Sequence, residues 1–375
     1  MLYKLDVLGD KTASVEALPS YFHRCAYAHG VSTKKYLIHV INCSDIDTDK
    51  SHAYACKLLE IRGCGHTFFE KVANFYKDTF DINLFSSTFT SAFSGLHASN
   101  SNEVRSRMRW CPECYQEALS SGEDAYVKLI WYLDDLTHCN VHALPLLERC
   151  SLCGKLQNVI GRKLPLHICS FCSASLTVRS DTGSLKPLFS WMAQGADLIE
   201  YMVEIFRRGA HSPIGVDKSI YELTTCFLND EFYQAFRYCW SNRDVRYQLW
   251  GKYGGMNLRS LRIICKMCNI TLYDFMSGNF LQGTRQLPWK REIPHPYATP
   301  SKTALYAHTY HYESLIDLIQ RPGITLEEIS ALMAVSEAYL NTRFPSLCNL
   351  VKKNHEEFEI KKMYQERLTI LERSR

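Results

Sequence analysis

Four pairs of potential metal ligands within 62 residues constrain this chain more than any other feature. In each pair two ligand residues are separated by two others, and the pairs are Cys111/Cys114, Cys139/His142, Cys150/Cys153 and Cys169/Cys172. Such a turn directs two ligands at one point, and two turns supply the four soft ligands that tetrahedral zinc prefers. The 15 residues between Cys153 and Cys169 are typical of zinc ribbons. The sequence therefore predicts two zinc ions.

The spacing leaves open how the four pairs combine, and His138 and His167 are competing ligands. The alternative is a set of buried thiols and imidazoles without metal, which four paired turns in so short a stretch disfavour. Two complete sets of four ligands leave no open coordination position, which favours structural metal over catalytic metal. The chain has 16 cysteines and no apolar export signal near its first residue. We therefore expect a reducing compartment rather than a disulfide framework.

A family resemblance rests on motifs that extend from the N-terminal region to the last ligand pair. The motifs are Glu16-x-Leu18-x-Ser20-Tyr21-Phe22-x-Arg24, then Trp110-Cys111-Pro112-x-Cys114, then Cys139-x-x-His142-x-x-x-Leu146, and then the two later pairs. Over residues 16–178 this set resembles the TniQ/TnsD family of transposon target-selection proteins. Two departures, Ser151 after Cys150 and Ser173 after Cys172, remove no ligand.

The resemblance implies an adaptor without catalytic activity. Such proteins recognise a target and recruit the TnsC-type AAA+ ATPase, which brings the transposase. The target is either an attachment-site DNA sequence or a guide-RNA effector of the Cascade type, as in CRISPR-associated transposons. The small net charge of +4 favours RNA-guided targeting. The resemblance also implies that the residues around Ser20 to Arg24 belong to a protein-contact domain, and it leaves a homodimer open.

Two segments have the apolar, small and turn residues of a helix-turn-helix. In Leu326–Arg343 the pattern is formed by Ile329, Ser330, Met333, Ala334, Val335 and Leu340. Thr325 and Glu328 predict a capping box before its first helix, and Ser336 predicts a cap for its second. Leu261–Gly278 fits the same template with Asn269 at the turn. In this interpretation Cys265 and Cys268 are core residues despite their zinc-like spacing.

A basic stretch surrounds the first of these helix pairs. Residues 241–292 contain nine Lys and Arg against three Asp and Glu. A cationic helix pair is typical of DNA binding, since phosphates attract the cations and a helix fits the major groove. The expected nucleic-acid contacts are Arg259, Arg262, Lys266, Lys290 and Arg291 here, and Ser336, Asn341, Thr342 and Arg343 in the second pair. Glu337 in the second recognition helix argues against base reading there.

We expect a mainly α protein: a TniQ-like N-terminal domain with two zinc-binding motifs, then a helical region with helix-turn-helix elements. The predicted parts are an interaction domain (1–106), a double zinc domain (107–180), a helical domain (181–292) and a C-terminal helical domain (301–375). A stand-alone zinc-containing transcription regulator is the alternative function. An enzyme acting on nucleic acid finds no support, because phosphate-loop and zinc-hydrolase motifs are absent. The chain has no apolar run of 18 residues, the length that would predict a membrane span. We expect a bacterial cytoplasmic protein associated with the nucleoid.

Overall fold

The computed structural model describes residues 4–44, 67–89, 104–105, 107–159, 162–178, 195–209, 214–228, 258–283 and 302–373. The chain divides into two compact units, one within residues 1–210 and one within residues 211–375. The described residues are mainly helical and pair their extended segments only through isolated bridges, which confirms the predicted α class. No helix in this part of the chain is both long and apolar enough to cross a bilayer.

The described helices are numbered in chain order. In the first unit they are α1 (Leu18–Ala28), α2 (Thr33–Cys43), α3 (Thr67–Phe80), α4 (Pro112–Ser120) and α5 (Ala196–Arg208), with single 3-10 turns at Leu84–Ser87 and Leu129–Tyr132. In the second unit they are α6 (Gly215–Leu228), α7 (Leu258–Cys268), α8 (Leu272–Met276), α9 (Phe280–Gly283), α10 (Lys302–Ile319), α11 (Leu326–Leu332), α12 (Glu337–Arg343) and α13 (Pro345–Arg373).

A glycine lies between the first two helices. Gly30 has a φ of +66°, in the left-handed region that favours glycine, and its N–H donates to the carbonyl of Tyr27. Ser32 then caps α2 by accepting from the N–H of Lys35 at 3.4 Å. The chain reverses here, so that α2 returns against α1.

The core of the first unit lies between α1, α2 and α3. Phe22 is fully buried on α1, and Tyr21 and Tyr76 are each 1% exposed. The rings of Tyr21 and Phe22 meet the ring of Tyr76 edge-on, with centroids 6.0 and 5.9 Å away. The hydroxyl groups of Tyr36 and Tyr76 share a hydrogen bond of 2.9 Å. Both aromatic residues of the N-terminal motif are therefore core residues, and neither is exposed to a partner.

A buried ion pair joins α1 to the segment that follows α4. Glu16 is fully buried, and Arg24 donates to both of its carboxylate oxygens at 2.9 and 2.7 Å. Arg24 also bonds Asp124 at 3.1 Å, and the Ser20 hydroxyl both donates to Glu16 and accepts from the N–H of Val127. Residues on both sides of the predicted boundary at 106/107 thus fold together in one unit.

The second helix-turn-helix candidate has the predicted local geometry. The Thr325 and Glu328 capping box is formed before α11, and Ser336 caps α12 by accepting from the N–H of Tyr339. Ala334 occupies the turn with a φ of +54°. Around this pair lies the core of the second unit, to which α10 and α13 contribute residues such as Leu315 and Leu347, both fully buried.

The first candidate also forms two helices around a left-handed turn, since Asn269 has a φ of +52° between α7 and α8. Its second helix, α8, has only five residues. Cys265 is 3% exposed and Cys268 is fully buried, and neither belongs to a cluster of potential metal ligands among the described residues. The prediction that these two thiols pack in the core is confirmed.

The long helix α13 receives its N-terminal cap from another element. The carboxylate of Asp217, in the first turn of α6, accepts the N–H of Leu347 at 3.2 Å, and the Ser346 N–H also bonds it. Asp217 is only 3% exposed. Burial raises the pKa of the Asp217 carboxyl to about 7, although the two N–H donors lower it.

Candidate metal centres

The eight predicted ligands form two clusters in sequence order. Cys111, Cys114, Cys139 and His142 form the first, which we call site 1, and Cys150, Cys153, Cys169 and Cys172 form the second, which we call site 2. Within each cluster the potential ligand atoms lie within 4.8 Å of one another. The pairing that the spacing left open is thereby resolved. His138 and His167 belong to neither cluster.

Site 1 combines a helix start with a tight turn. Cys111 precedes α4 and Cys114 lies in its first turn, where Pro112 supplies the fixed φ that a helix start tolerates. The Nδ1 atom of His142 lies 3.5 Å from the Cys111 sulfur and 3.3 Å from the Cys114 sulfur. Its Nε2 lies 2.9 Å from a carboxylate oxygen of Glu117. A metal on Nδ1 would leave Nε2–H to donate to Glu117, the usual orientation of a ligand histidine.

Site 2 combines two tight turns. The sulfur atoms of Cys150 and Cys172 lie 3.8 Å apart, and those of Cys153 and Cys169 lie 3.7 Å apart. The Cys169 sulfur accepts hydrogen bonds from the N–H of Phe171 at 3.4 Å and from Gln157 at 3.3 Å. Burial raises the pKa of Cys169, but donors that include the N–H groups of Cys172 and Phe171 outweigh it and lower the pKa to about 6. The turn therefore favours the thiolate that a metal needs.

The same backbone turn occurs three times. The residues four positions after Cys139, Cys150 and Cys169 are Ala143, Gly154 and Ser173, with φ values of +54°, +68° and +59°. Each donates its N–H to the carbonyl of its cysteine, and the cysteine N–H returns a bond to the carbonyl one residue further on. A bridge then closes each loop, as at His138↔Pro145, Arg149↔Leu156 and Ile168↔Ser175. We call these loops knuckles. Glycine adopts this positive φ most readily, as at Gly154, while Ala143 and Ser173 show that other small residues adopt it too.

A buried basic residue stands behind each cluster, and sequence reasoning missed both. Lys128 is 7% exposed, and its Nζ lies 3.6 Å from the Cys114 sulfur and 5.2 Å from the centroid of the Trp131 ring. Arg162 is 3% exposed and donates to Gln157, whose amide donates to Cys169. Thiolate ligands give a zinc cluster net negative charge, so a nearby cation offsets it. No local pattern marks these two residues, because their burial depends on the packing of distant segments.

The donor sets fit tetrahedral zinc. With Zn–S bonds of about 2.3 Å, tetrahedral angles place two sulfur atoms about 3.8 Å apart, and the observed separations of 3.6 to 3.8 Å agree. Four protein ligands fill each site, which is the arrangement of a structural metal rather than a catalytic one. Both clusters could therefore hold a structural metal ion that stabilises the fold.

Comparison with known families bears on the part of the chain that contains site 1. Residues 8–146 match the family model of TniQ. This part of the chain is similar to a TniQ domain, and we call it the TniQ-like domain. The match includes the buried Glu16–Arg24 pair and all of site 1, and it ends before the first cysteine of site 2. A comparison of the whole chain with curated proteins found no match.

The N-terminal motif of the TniQ-like domain has a structural role. Its charged and hydroxyl side chains hold α1 against residues 124–128, and its aromatic residues fill the core. Ser20 is fully buried and Arg24 is 8% exposed. The expectation that residues around Ser20 to Arg24 lie in a contact domain can therefore apply only to other, exposed side chains of this domain.

The predicted nucleic-acid contacts of the first helix pair are not confirmed as a set. Arg262 is 1% exposed on the core side of α7, so its expected contact with phosphate is wrong: the helix turns that position inward with Leu261. Lys266 is exposed. The side chain of Arg259 and the whole of Lys290 and Arg291 lie outside the described residues.

The second helix pair presents its predicted contacts differently. Ser336 is exposed but its hydroxyl caps α12, and the side-chain amide of Asn341 donates to the carbonyl of Glu337. Arg343 is half-buried, with its guanidinium 5.8 Å from the centroid of the Tyr339 ring. Thr342 is also half-buried. Glu337 is exposed at the start of α12, so the acidic character expected there is present at the surface.

Proposed function

We propose that this chain is a non-catalytic adaptor that selects the target of DNA transposition. It links a target-recognition complex to the TnsC-type AAA+ ATPase and, through it, to the transposase. The observation that carries the proposal is the TniQ-like domain itself, in which the buried Glu16–Arg24 pair fastens α1 to the site 1 segment. The two clusters hold zinc, and the metal stabilises the fold without taking part in a reaction.

Between the two modes of targeting we favour recognition through a guide-RNA effector of the Cascade type. Base pairing then supplies sequence specificity, and the adaptor needs few contacts with bases. Exposed Glu327 and Glu337 on the second helix pair support this choice, because carboxylates repel the phosphates of a duplex. Reading of an attachment site in DNA by the chain itself is the other mode.

The test is a reconstituted transposition reaction with the TnsC-type ATPase, the transposase and the candidate effector from the same genetic neighbourhood. We expect integration beside the guide-matched site only when this chain is present, and copurification of the chain with the effector. Integration at the guided site without the chain would contradict the adaptor role. Guide-independent insertion at one site, with tight binding of that DNA by the isolated chain, would overturn RNA-guided targeting but keep the adaptor.

The alternative is a stand-alone zinc-containing transcription regulator, supported by the helix-turn-helix geometry of α11 and α12. The same reconstituted components distinguish this regulator from the adaptor. A regulator would bind its own promoter and change transcription from it, and would leave integration by the ATPase and transposase unchanged.

A further inference from the structure

The two halves of the metal-binding region carry opposite charge. Residues 111–148, around site 1, contain seven Asp and Glu but a single basic residue, Lys128, which is buried. Residues 149–178, around site 2, contain four Lys and Arg and no Asp or Glu. Even after the charge of −2 on a zinc ion with four thiolates is counted, the second half remains cationic. The contrast lies inside one unit, so it is not an effect of overall composition.

The basic side chains around site 2 are open to solvent. Arg149, Lys155 and Lys163 are exposed, while the fourth, Arg162, is buried behind Cys169. Arg149 donates to the Gly154 carbonyl at 3.1 Å, which places its guanidinium against the first knuckle of the site. Lys155 belongs to the same knuckle, since its carbonyl accepts the N–H of Cys150, so both of these cations adjoin the metal cluster.

The tips of both site 2 knuckles are apolar and strongly exposed. Leu152 is 75% exposed and Phe171 is 64% exposed, at the same position of the two knuckles. A hydrogen bond of 3.2 Å from Ser151 to the carbonyl of Val178 brings a further exposed apolar residue beside the first knuckle. The backbone of Phe171 is anchored to the site, because its N–H bonds the Cys169 sulfur. An open aromatic ring on a fixed loop is a stacking platform.

We propose that site 2 and its surroundings form a binding site for unpaired nucleic acid, in which Phe171 stacks on a base while Arg149, Lys155 and Lys163 contact phosphates. Stacking needs a base face that a duplex hides, so single strands fit and duplexes do not. The lack of Asp and Glu in residues 149–178 favours a polyanion over a protein segment. RNA and a displaced DNA strand share this chemistry. The proposal does not rest on the adaptor function, since it concerns the isolated chain and any unpaired strand.

The test measures binding of the zinc-loaded full chain to labelled oligothymidylate, oligouridylate and a duplex of equal length by fluorescence anisotropy at two salt concentrations. Phe171→Ala keeps the N–H that bonds Cys169, and it should weaken single-strand binding about 5- to 150-fold. Val141→Ala is the matched control, because Val141 is 57% exposed at the same knuckle position in the acidic half. It should leave the affinity unchanged.

A second pair of variants tests the phosphate contacts and does not touch a knuckle tip. Lys155→Ala with Lys163→Ala should lower the slope of log affinity against log salt by about 1.4, at about 0.7 for each contact with a single strand. The control is Lys34→Ala with Lys35→Ala, two exposed lysines on α2. The proposal would be overturned if Phe171→Ala and Val141→Ala lost equal affinity for single strands. It would also be overturned if the chain preferred duplex and neither Phe171→Ala nor the site 2 lysine pair altered that preference. Binding of both single strands, or of RNA alone, would support it.

Discussion

At the scale of single residues, the Glu16–Arg24 pair shows why the N-terminal motif has the residues it has. A fully buried carboxylate is costly unless it is paired and hydrogen-bonded. Here it receives two bonds from Arg24 and one from Ser20, and a weaker one of 3.3 Å from the N–H of Leu8. The two charged residues of the motif therefore depend on each other, and removal of Arg24 leaves the buried Glu16 carboxylate without its counter-ion.

Arg24→Leu should lower the free energy of unfolding of the first unit by about 3–5 kcal/mol, because it leaves Glu16 buried without its counter-ion. Lys77→Ala is the control, since it breaks an ion pair with Asp81 whose partners are both mostly exposed, and it should change stability little. Chemical denaturation followed by circular dichroism measures both. A loss no greater in Arg24→Leu than in Lys77→Ala would show that the buried pair does not stabilise the unit.

Sequence reasoning at this scale identified all eight clustered ligands, because the spacing of metal ligands is a local pattern that does not depend on how distant segments pack. It failed for Arg262, where a cation in a basic stretch is buried. It also did not find Lys128 and Arg162, which stand behind the clusters. Whether a cation faces solvent or a thiolate depends on segments far away in the chain, and no local pattern records that.

At the scale of elements, the turn of the second helix pair has a residue that is not the best one for its conformation. Ala334 has a φ of +54°, which costs a residue with a Cβ about 1–2 kcal/mol relative to the usual helical region. Ala334→Gly should raise the free energy of unfolding of the second unit by about 0.5–1 kcal/mol, after the greater freedom of glycine in the unfolded chain is subtracted.

The control for that change is Ala331→Gly, one turn earlier at an exposed position of α11. There glycine replaces alanine inside a helix and should cost about 1 kcal/mol. Denaturation of the two variants should thus give shifts of opposite sign. Shifts of the same sign would mean that the left-handed turn is not what limits this helix pair.

The cap that Asp217 supplies to α13 should make stability depend on pH. Because its pKa is about 7 in the folded chain and 3.8 ordinarily, the folded state holds a proton that the unfolded state has lost between these values. Stability from this group therefore falls as pH rises from about 4 to 7, by at most about 1.4 kcal/mol per pH unit. Asp217→Asn cannot titrate and should flatten the dependence between pH 5.5 and 7.5, whereas Asp317→Asn, at an exposed position of α10, should not. Identical pH profiles for Asp217→Asn and the unmodified chain would refute this role.

Helix ends were the elements that the sequence predicted best. The Thr325 capping box and the Ser336 cap act through bonds within a few residues, so their signals are local. Asp217 caps a helix 130 residues away, and no motif could have shown that. The bonds of Arg24 and Ser20 to Asp124 and Val127, across the boundary predicted at 106/107, also join distant segments and have no local signal.

At the scale of the whole molecule, the first unit combines two metal-binding halves of opposite charge. Site 1 and most of its acidic surroundings, residues 111–148, lie in the region that the family model matches, while site 2 lies beyond the match in the basic segment of residues 149–178. Trp110 joins them through a bond of 3.0 Å from its indole N–H to the carbonyl of Leu176, and His23 adds one of 3.0 Å to the carbonyl of Leu164. The fold around each cluster depends on the four ligands being held together by a metal ion. The described residues there form turns and isolated bridges rather than a sheet, so little else fixes them.

The most direct measurement of the central claim is the zinc content of the full chain, purified without added metal and weighed by native mass spectrometry. We predict two zinc ions per chain, with Cys150→Ser binding one fewer and losing structure around site 2, because folding there is coupled to metal binding. Cys265→Ser is the control: this thiol has zinc-like spacing but lies in the core, so two ions should remain. A folded, soluble chain that carries no zinc would contradict the account.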